Sequence, residues 1–472
     1  MKNNLKANLF FSTFYQILSV VYPLITAPYI SRMLGAENIG IYSYTESIQQ
    51  YFAITAVLGT SVYGTREIAK HRNDVNYRTR LFWEIELLSI FTTFISLVAY
   101  LFIVGLSNGY RLYFIILSIN IIAKLFDISW FYGGLEEFKY IFIINSFIKT
   151  AGVIAQLLLV KRGGLITYMV IITLITLLSN ISMWLFLRKF LCKVEIKELH
   201  VFRHLKGTLV YFIPTIASTA YSFLDKTVLG LVTESNMENG YYEQATKIIT
   251  LAQTVTFSGL NAVIQSRNSF LYQEHRYDEM RLTIKKSISY IMFMGIGIAF
   301  GIIGVADKFV PFFFGEGYDK VHSLLYVLCP IVLISGLSGC ISGQYYTPSG
   351  RRKESSYYLI IGLLVNLILN ILLTPRLLGN GAAISSIIGE MVILVLYVEH
   401  CKKFIYMKSI ILSAAPKKIF AGMSMLALII LIGNAINNVI VCLALQVSLG
   451  FLTYVIVLYV LKDEFFTSTI KK

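Results

Sequence analysis

Apolar runs of about 20 residues recur along nearly the whole chain, each long enough to cross a hydrocarbon layer of roughly 30 Å as a helix that satisfies its own backbone groups. The pattern predicts fourteen such spans. In the first half they fall at 9–31, 39–63, 82–105, 110–132, 140–160 and 165–187. In the second half they fall at 207–232, 240–265, 287–305, 321–343, 357–375 and 381–400, with a final pair at 417–435 and 439–461. The expected organisation is therefore a six-helix lobe at 1–187, a basic connector at 188–206, a second six-helix lobe at 207–400, and an extra helix pair with a tail at 401–472.

The second lobe begins as the first does. At a separation of 200 residues Gly40 meets Gly240, Tyr42 meets Tyr242, Ile48 meets Ile248 and Gly59 meets Gly259, while Arg66 falls one residue short of Arg267. In each lobe a proline-bearing apolar run leads through a short polar turn, Gly35 to Asn38 or Thr233 to Asn239, into the next run. Internal repeats of this kind are a common way of building transporters.

Composition fixes the class. With 56% hydrophobic and 14% charged residues the chain has too little polar surface to cover a soluble globule of 472 residues, so an all-α integral membrane protein is expected. Its net charge of +15 sorts by side. If both termini are cytoplasmic, 30 of the 41 lysines and arginines lie on that side, 7 on the other and 4 within spans. That bias explains the basicity, and no nucleic-acid partner is needed. Lys2 and Lys6 precede the first run, which passes Pro28 without a small-residue cleavage site; it reads as a retained helix in a multi-pass plasma-membrane protein.

Little room remains for catalysis. The external loops are short, no phosphate-binding glycine motif is present, and the five cysteines stand singly, so neither a cofactor nor a metal is expected. His200 and His204 stand four apart in the connector, but without a catalytic HExxH pattern they read as part of a solvated amphipathic helix. Gly297 and Gly301 form a GxxxG pair that predicts a close helix contact.

Three stretches carry a resemblance. YPLITAPYISRMLGAENIGIYSY contains Pro28, Arg32, Leu34, Gly35, Gly40 and Tyr42; YGTREIAK runs from Tyr63 to Lys70; FFFGEGYDKV runs from Phe312 to Val321. Together they resemble the bacterial polysaccharide repeat-unit flippases, the Wzx-type oligosaccharide transporters of the multidrug, oligosaccharidyl-lipid and polysaccharide exporter superfamily. Met33 departs from the first signature. The resemblance implies two six-helix lobes with two further helices, and an undecaprenyl-diphosphate-linked oligosaccharide moved from the cytoplasmic to the outer leaflet by alternating access, for capsule or another surface polymer. Membrane lipids, a polysaccharide polymerase and other assembly proteins are the implied partners. Two alternatives share the topology: a cation-coupled multidrug or small-molecule exporter, and a polytopic polymerase or ligase, for which a large external loop would be expected.

A diphosphate crossing hydrocarbon needs replacement hydrogen bonds and cations, so ionisable residues within spans are the candidate binding groups. They are Lys124, Lys149, Lys226 and Lys247, with Arg32 at the outer mouth. Asp225, Glu46, Asp127 and Glu243 are candidates for ion coupling or charge pairing. Lys124 and Asp127 are helical neighbours, and Asp225 and Lys247 lie at similar depth in successive spans; for these, mutual neutralisation and substrate contact both stand. Lys149 sits near mid-span with no acid within four residues, which points it at a watery cavity or another helix.

Overall fold

The first helix, α1 (Leu5–Val57), shows how the apolar pattern is realised. Two expected spans lie on its two arms, and the polar turn between them shrinks to one residue, Gly35, whose φ of 73° and ψ of 168° interrupt the helix. A Cβ added at Gly35 would meet nothing within 4 Å, so the positive φ and not crowding calls for glycine here. Glu37 and Asn38, expected in the turn, are already helical. α6 (Phe138–Leu187) repeats the device at Gly164, φ 60°.

The computed structural model describes residues 5–106, 109–233, 235–463 and 465. Lys2 and the residues after Phe465, which enter the orientation argument, lie outside them. The described residues form helices throughout: after α1 come α2 (Thr60–Lys70), α3 (Val75–Leu106), α4 (Arg111–Lys124), α5 (Ser129–Leu135), α6, α7 (Leu205–Val232) and α8 (Asn236–Gln253). Then follow α9 (Gly259–Gln273), α10 (Tyr277–Phe314), α11 (Asp319–Leu328), α12 (Pro330–Ile341), α13 (Arg352–Leu377), α14 (Gly379–Cys401), α15 (Met407–Ala435) and α16 (Val439–Val460).

Among the described residues, ten helical stretches are long and apolar enough to cross a membrane, or eleven if Asp319–Leu328 and Pro330–Tyr346, bent by 41°, form one span. The expected count of fourteen is thus not confirmed. α6 counts once although it carries two expected spans, and α1 is not among the ten. The chain is a multi-pass, all-helical membrane protein. It divides into two compact units, 1–227 and 228–472.

In the first unit the two arms of α1 pack on α6 and α4. Tyr22 donates to Ser146 O at 3.2 Å and Tyr29 to Leu157 O at 2.7 Å, so two tyrosines of the first quoted stretch fasten α1 to α6. A second core gathers Phe82, Trp130, Phe131 and Met183. There Gly64 of α2 lets Trp130 approach: a Cβ at Gly64 would lie 2.4 Å from the indole.

In the second unit α10 carries a glycine face against α15 and α16. A Cβ on Gly297 would meet Tyr454 at 3.0 Å, on Gly301 Met425 at 3.9 Å, and on Gly304 Ile429 at 2.6 Å. The expected close helix contact is present, one glycine longer than the GxxxG pair. α15 and α16 are also held by a buried ion pair, Lys418 Nζ to Asp463 Oδ2 at 2.7 Å. A seam of buried polar side chains joins α13 to α14: Thr374 donates to Asn370 at 2.6 Å, Asn370 to Asn366 at 2.9 Å, and Asn366 to Ser386 at 3.2 Å.

Candidate functional site

In the first unit α1, α4, α6 and α7 carry the charged residues expected within spans. Lys124 Nζ lies 3.8 Å from Asp127 Oδ2 at the end of α4, and Asp127 Oδ1 also accepts the Ser129 hydroxyl at 2.6 Å and the Ser129 N–H at 3.2 Å. The carboxylate therefore caps the turn into α5 as well as facing the ammonium. Glu46, half-buried on the second arm of α1, accepts the Tyr42 hydroxyl at 2.9 Å. Tyr51 and Ser47, on the same arm, meet Thr227 of α7 at 3.1 and 2.9 Å, beside buried Asp225 and half-buried Lys226. The Lys226 ammonium lies 5.2 Å from the centroid of the Phe223 ring, one turn back.

Lys149 is half-buried on the first arm of α6, next to Thr150, whose hydroxyl is 2.8 Å from that of Tyr22. Arg32 is exposed three residues before the Gly35 break. In the second unit Lys247 lies 3.6 Å from buried Glu243, one turn earlier on α8. Asp225 is the acid expected at similar depth, and Glu243, one turn earlier, stands within 4 Å of this lysine.

The structure assembles one polar cluster that the sequence pattern does not predict. Glu84 of α3 is fully buried; it accepts from Arg203 at 2.5 Å and from the His200 backbone N–H at 2.8 Å, and lies 2.8 Å from His204 Nε2. His204 Nδ1 is in turn 2.8 Å from the Tyr63 hydroxyl. The connector is not a solvated amphipathic helix: it forms two short 3-10 turns, Ile196–Glu198 and Val201–His204, and His204 is only 4% exposed. A fully buried carboxylate needs such partners, because an unmatched charge in low dielectric costs several kcal/mol.

Tyr63 of this cluster opens the YGTREIAK stretch, four of whose residues have a packing role. Tyr63 stacks under Gly207, where a Cβ would lie 2.6 Å from the ring. Thr65 donates to Trp130 O at 3.2 Å, Arg66 donates to the Tyr211 hydroxyl, and Ile68 is fully buried. Tyr63 and Arg66 fix the start of α7 against α2, while Thr65 and Ile68 hold α2 to α5. FFFGEGYDKV is a turn with positive φ at Gly315 and Gly317 that delivers Lys320 to buried Glu238, whose other oxygen accepts the Gly379 N–H at 3.2 Å. All three quoted stretches thus serve backbone breaks and helix docking.

Comparison with known proteins agrees with this architecture. The chain is similar over its length to solved helical transporters: to a lipid II flippase, MurJ, in an inward closed conformation, with a TM-score of 0.76 at 15% identity over 97% of this chain and 99% of that one. It is also similar to an inward-facing multidrug resistance transporter of the MATE family and MOP superfamily, with a TM-score of 0.58 at 14% identity over 83% and 98%. At such identities the likeness shows the fold alone, the multi-pass helical fold of those two proteins. The family profile described as "Polysaccharide biosynthesis protein" matches residues 5–264, and the chain belongs to that family. A putative O-antigen transporter of Escherichia coli strain K12 is 24% identical over 395 residues, 82% of this chain and 94% of that protein. A probable low-salt glycan biosynthesis flippase, Agl15, of Haloferax volcanii is 23% identical over 198 residues, 42% of this chain and 41% of that one.

Proposed function

We propose that this protein is a flippase that carries lipid-linked oligosaccharide units from the cytoplasmic to the outer leaflet by alternating access. The observation that carries the reading is the similarity, over 82% of this chain and 94% of that protein, to the putative O-antigen transporter of Escherichia coli. The proposed cargo is an undecaprenyl-diphosphate-linked unit destined for capsule or another surface polymer, handed on to a polymerase. Both termini and the connector 188–206 are proposed to be cytoplasmic, with residues 1–187 and 207–400 as the two lobes. The physical task fits a transporter: sugars and a diphosphate cannot shed water into hydrocarbon, whereas a polyprenyl tail can stay in lipid.

Lys149, Lys124, Lys226, Lys247 and Arg32 are the proposed cationic contacts for the diphosphate, with Asp225, Glu46, Asp127 and Glu243 as charge partners or coupling groups. Lys124 and Lys247 each have an acid within 4 Å; Lys149, near the middle of its expected span, is the residue chosen for the test. At matched protein levels Lys149→Ala should reduce surface polymer and leave lipid-linked units on the inner leaflet. Lys149→Arg should retain more, because the charge persists on a different shape. Exposed Lys161→Ala should change little. Full activity in Lys149→Ala would remove the residue from the site, and equal loss in both variants would assign it to packing. The multidrug-exporter reading draws on the fold shared with the MATE transporter; transport of organic cations, and not of lipid-linked oligosaccharide, by the purified protein would establish it.

A further inference from the structure

A cavity of about 320 Å³ opens in the second unit where α9 ends and α10 begins. Its polar side presents Arg267, Lys286 and the buried Ser287; its apolar side presents Leu260, Ile264 and Phe465. The one acid on its rim, Glu279, is already held in a forked pair by Arg276, at 2.7 and 2.8 Å. No ion pair among the described residues engages Arg267 or Lys286.

The position says what such a mixed lining is for. Charged residues are dense up to Lys286, and α10 then runs apolar from Ile288 to Val305, so the cavity straddles the level at which lipid headgroups meet hydrocarbon. Val263 and Leu282, 69% and 52% exposed, continue the apolar surface away from it. A free ion would use the cations and leave the apolar wall wet; an acyl chain alone would leave the cations unmatched. A phosphate with acyl chains attached satisfies both sides, and basic pockets between membrane helices take such headgroups.

We propose that this cavity is a binding site for an anionic phospholipid of the phosphatidylglycerol type, its phosphate between Arg267 and Lys286 and its chains running along Ile264 and Val263. The site is separate from the span lysines, and the proposal stands whichever cargo the chain carries. The test is native mass spectrometry of the purified, delipidated full chain titrated with phosphatidylglycerol, with phosphatidylcholine and with inorganic phosphate.

Arg267→Gln with Lys286→Gln should weaken phosphatidylglycerol binding about 30-fold, at roughly one lipid-charge contact per residue. Ile264→Ser should weaken it several-fold. Lys193→Gln with Lys197→Gln, which removes two exposed cations from the connector, should leave it unchanged. Equal loss in the connector pair would reduce the effect to net charge and overturn the site. Equal affinity for phosphatidylcholine would overturn the anionic selectivity, and displacement by inorganic phosphate at comparable concentration would make it an ion site. Melting temperatures of the variants identify any that fail to fold; should the double variant be one of them, Lys286→Gln alone gives the same reading.

Discussion

Gly59 and Gly259 occupy the same place in the sequence repeat, yet the chain does opposite things at the two. At Gly59 the helix stops: φ is 75°, and α2 starts afresh at Thr60. At Gly259 it continues, φ −63°, after a π-bulge at Thr254–Ser258 has absorbed the irregularity. The surroundings of the two glycines differ as well. A Cβ on Gly59 would sit 2.6 Å from Thr208 O and 2.8 Å from Phe212 N, so α7 presses backbone to backbone at that point. Nothing lies within 4 Å of the corresponding position on Gly259. A glycine permits a break but does not compel one: Gly59 breaks against a neighbouring helix, and Gly35 breaks with nothing within 4 Å of its Cβ position.

The arginines that follow diverge in step. Arg66 is spent on Tyr211, at the start of α7, whereas Arg267 lines an open cavity. In the first unit this end of the repeat is therefore closed by docking, and in the second it stays accessible.

Gly59→Ala carries the largest expected effect within this comparison. The positive φ and the clash with two backbone atoms together should cost about 3 kcal/mol, seen as a fall in melting temperature in detergent. Glu84→Gln comes next, because it loosens the connector that brings α7 to Gly59. Removing one partner of a buried pair costs up to about 5 kcal/mol, but Arg203 is 39% exposed and can rehydrate, so about 2 kcal/mol is expected. Thermal unfolding measures it, and Gly59→Ala made in the Glu84→Gln background should then cost less than it does alone. Gly259→Ala should be the mildest change and of opposite sign, stabilising by about 0.5–1 kcal/mol as alanine replaces glycine at a helical φ. Equal shifts at Gly59 and Gly259 would abolish the distinction drawn between the two units.

Apolar runs were legible as helices because hydrocarbon leaves a backbone no other local solution. The quoted stretches were also legible, since each holds a turn or close approach that restricts residue choice. Which breaks occur was not: Gly35, Gly59 and Gly164 bend the chain while Gly259 does not, and the reason at Gly59 lies some 150 residues along. Among charges, Lys124 and Asp127 were readable as a pair from their spacing on one helix. Glu84 with His204, and Lys418 with Asp463, were not, because their partners are 120 and 45 residues apart and spacing carries no signal at that range. His200 and His204 looked alike in sequence, but one presents only its backbone N–H to Glu84 and the other its ring.

The Lys418–Asp463 pair also orders events during synthesis. Lys418 is made 45 residues before the carboxylate that neutralises it, so α15 enters the membrane with an ammonium it cannot yet bury and must leave at the water interface. Only when α16 has followed and Asp463 has emerged can the two charges pair and reach the 2–4% exposure they have in the finished protein. α15 and α16 are therefore expected to settle as a hairpin against the glycine face of α10.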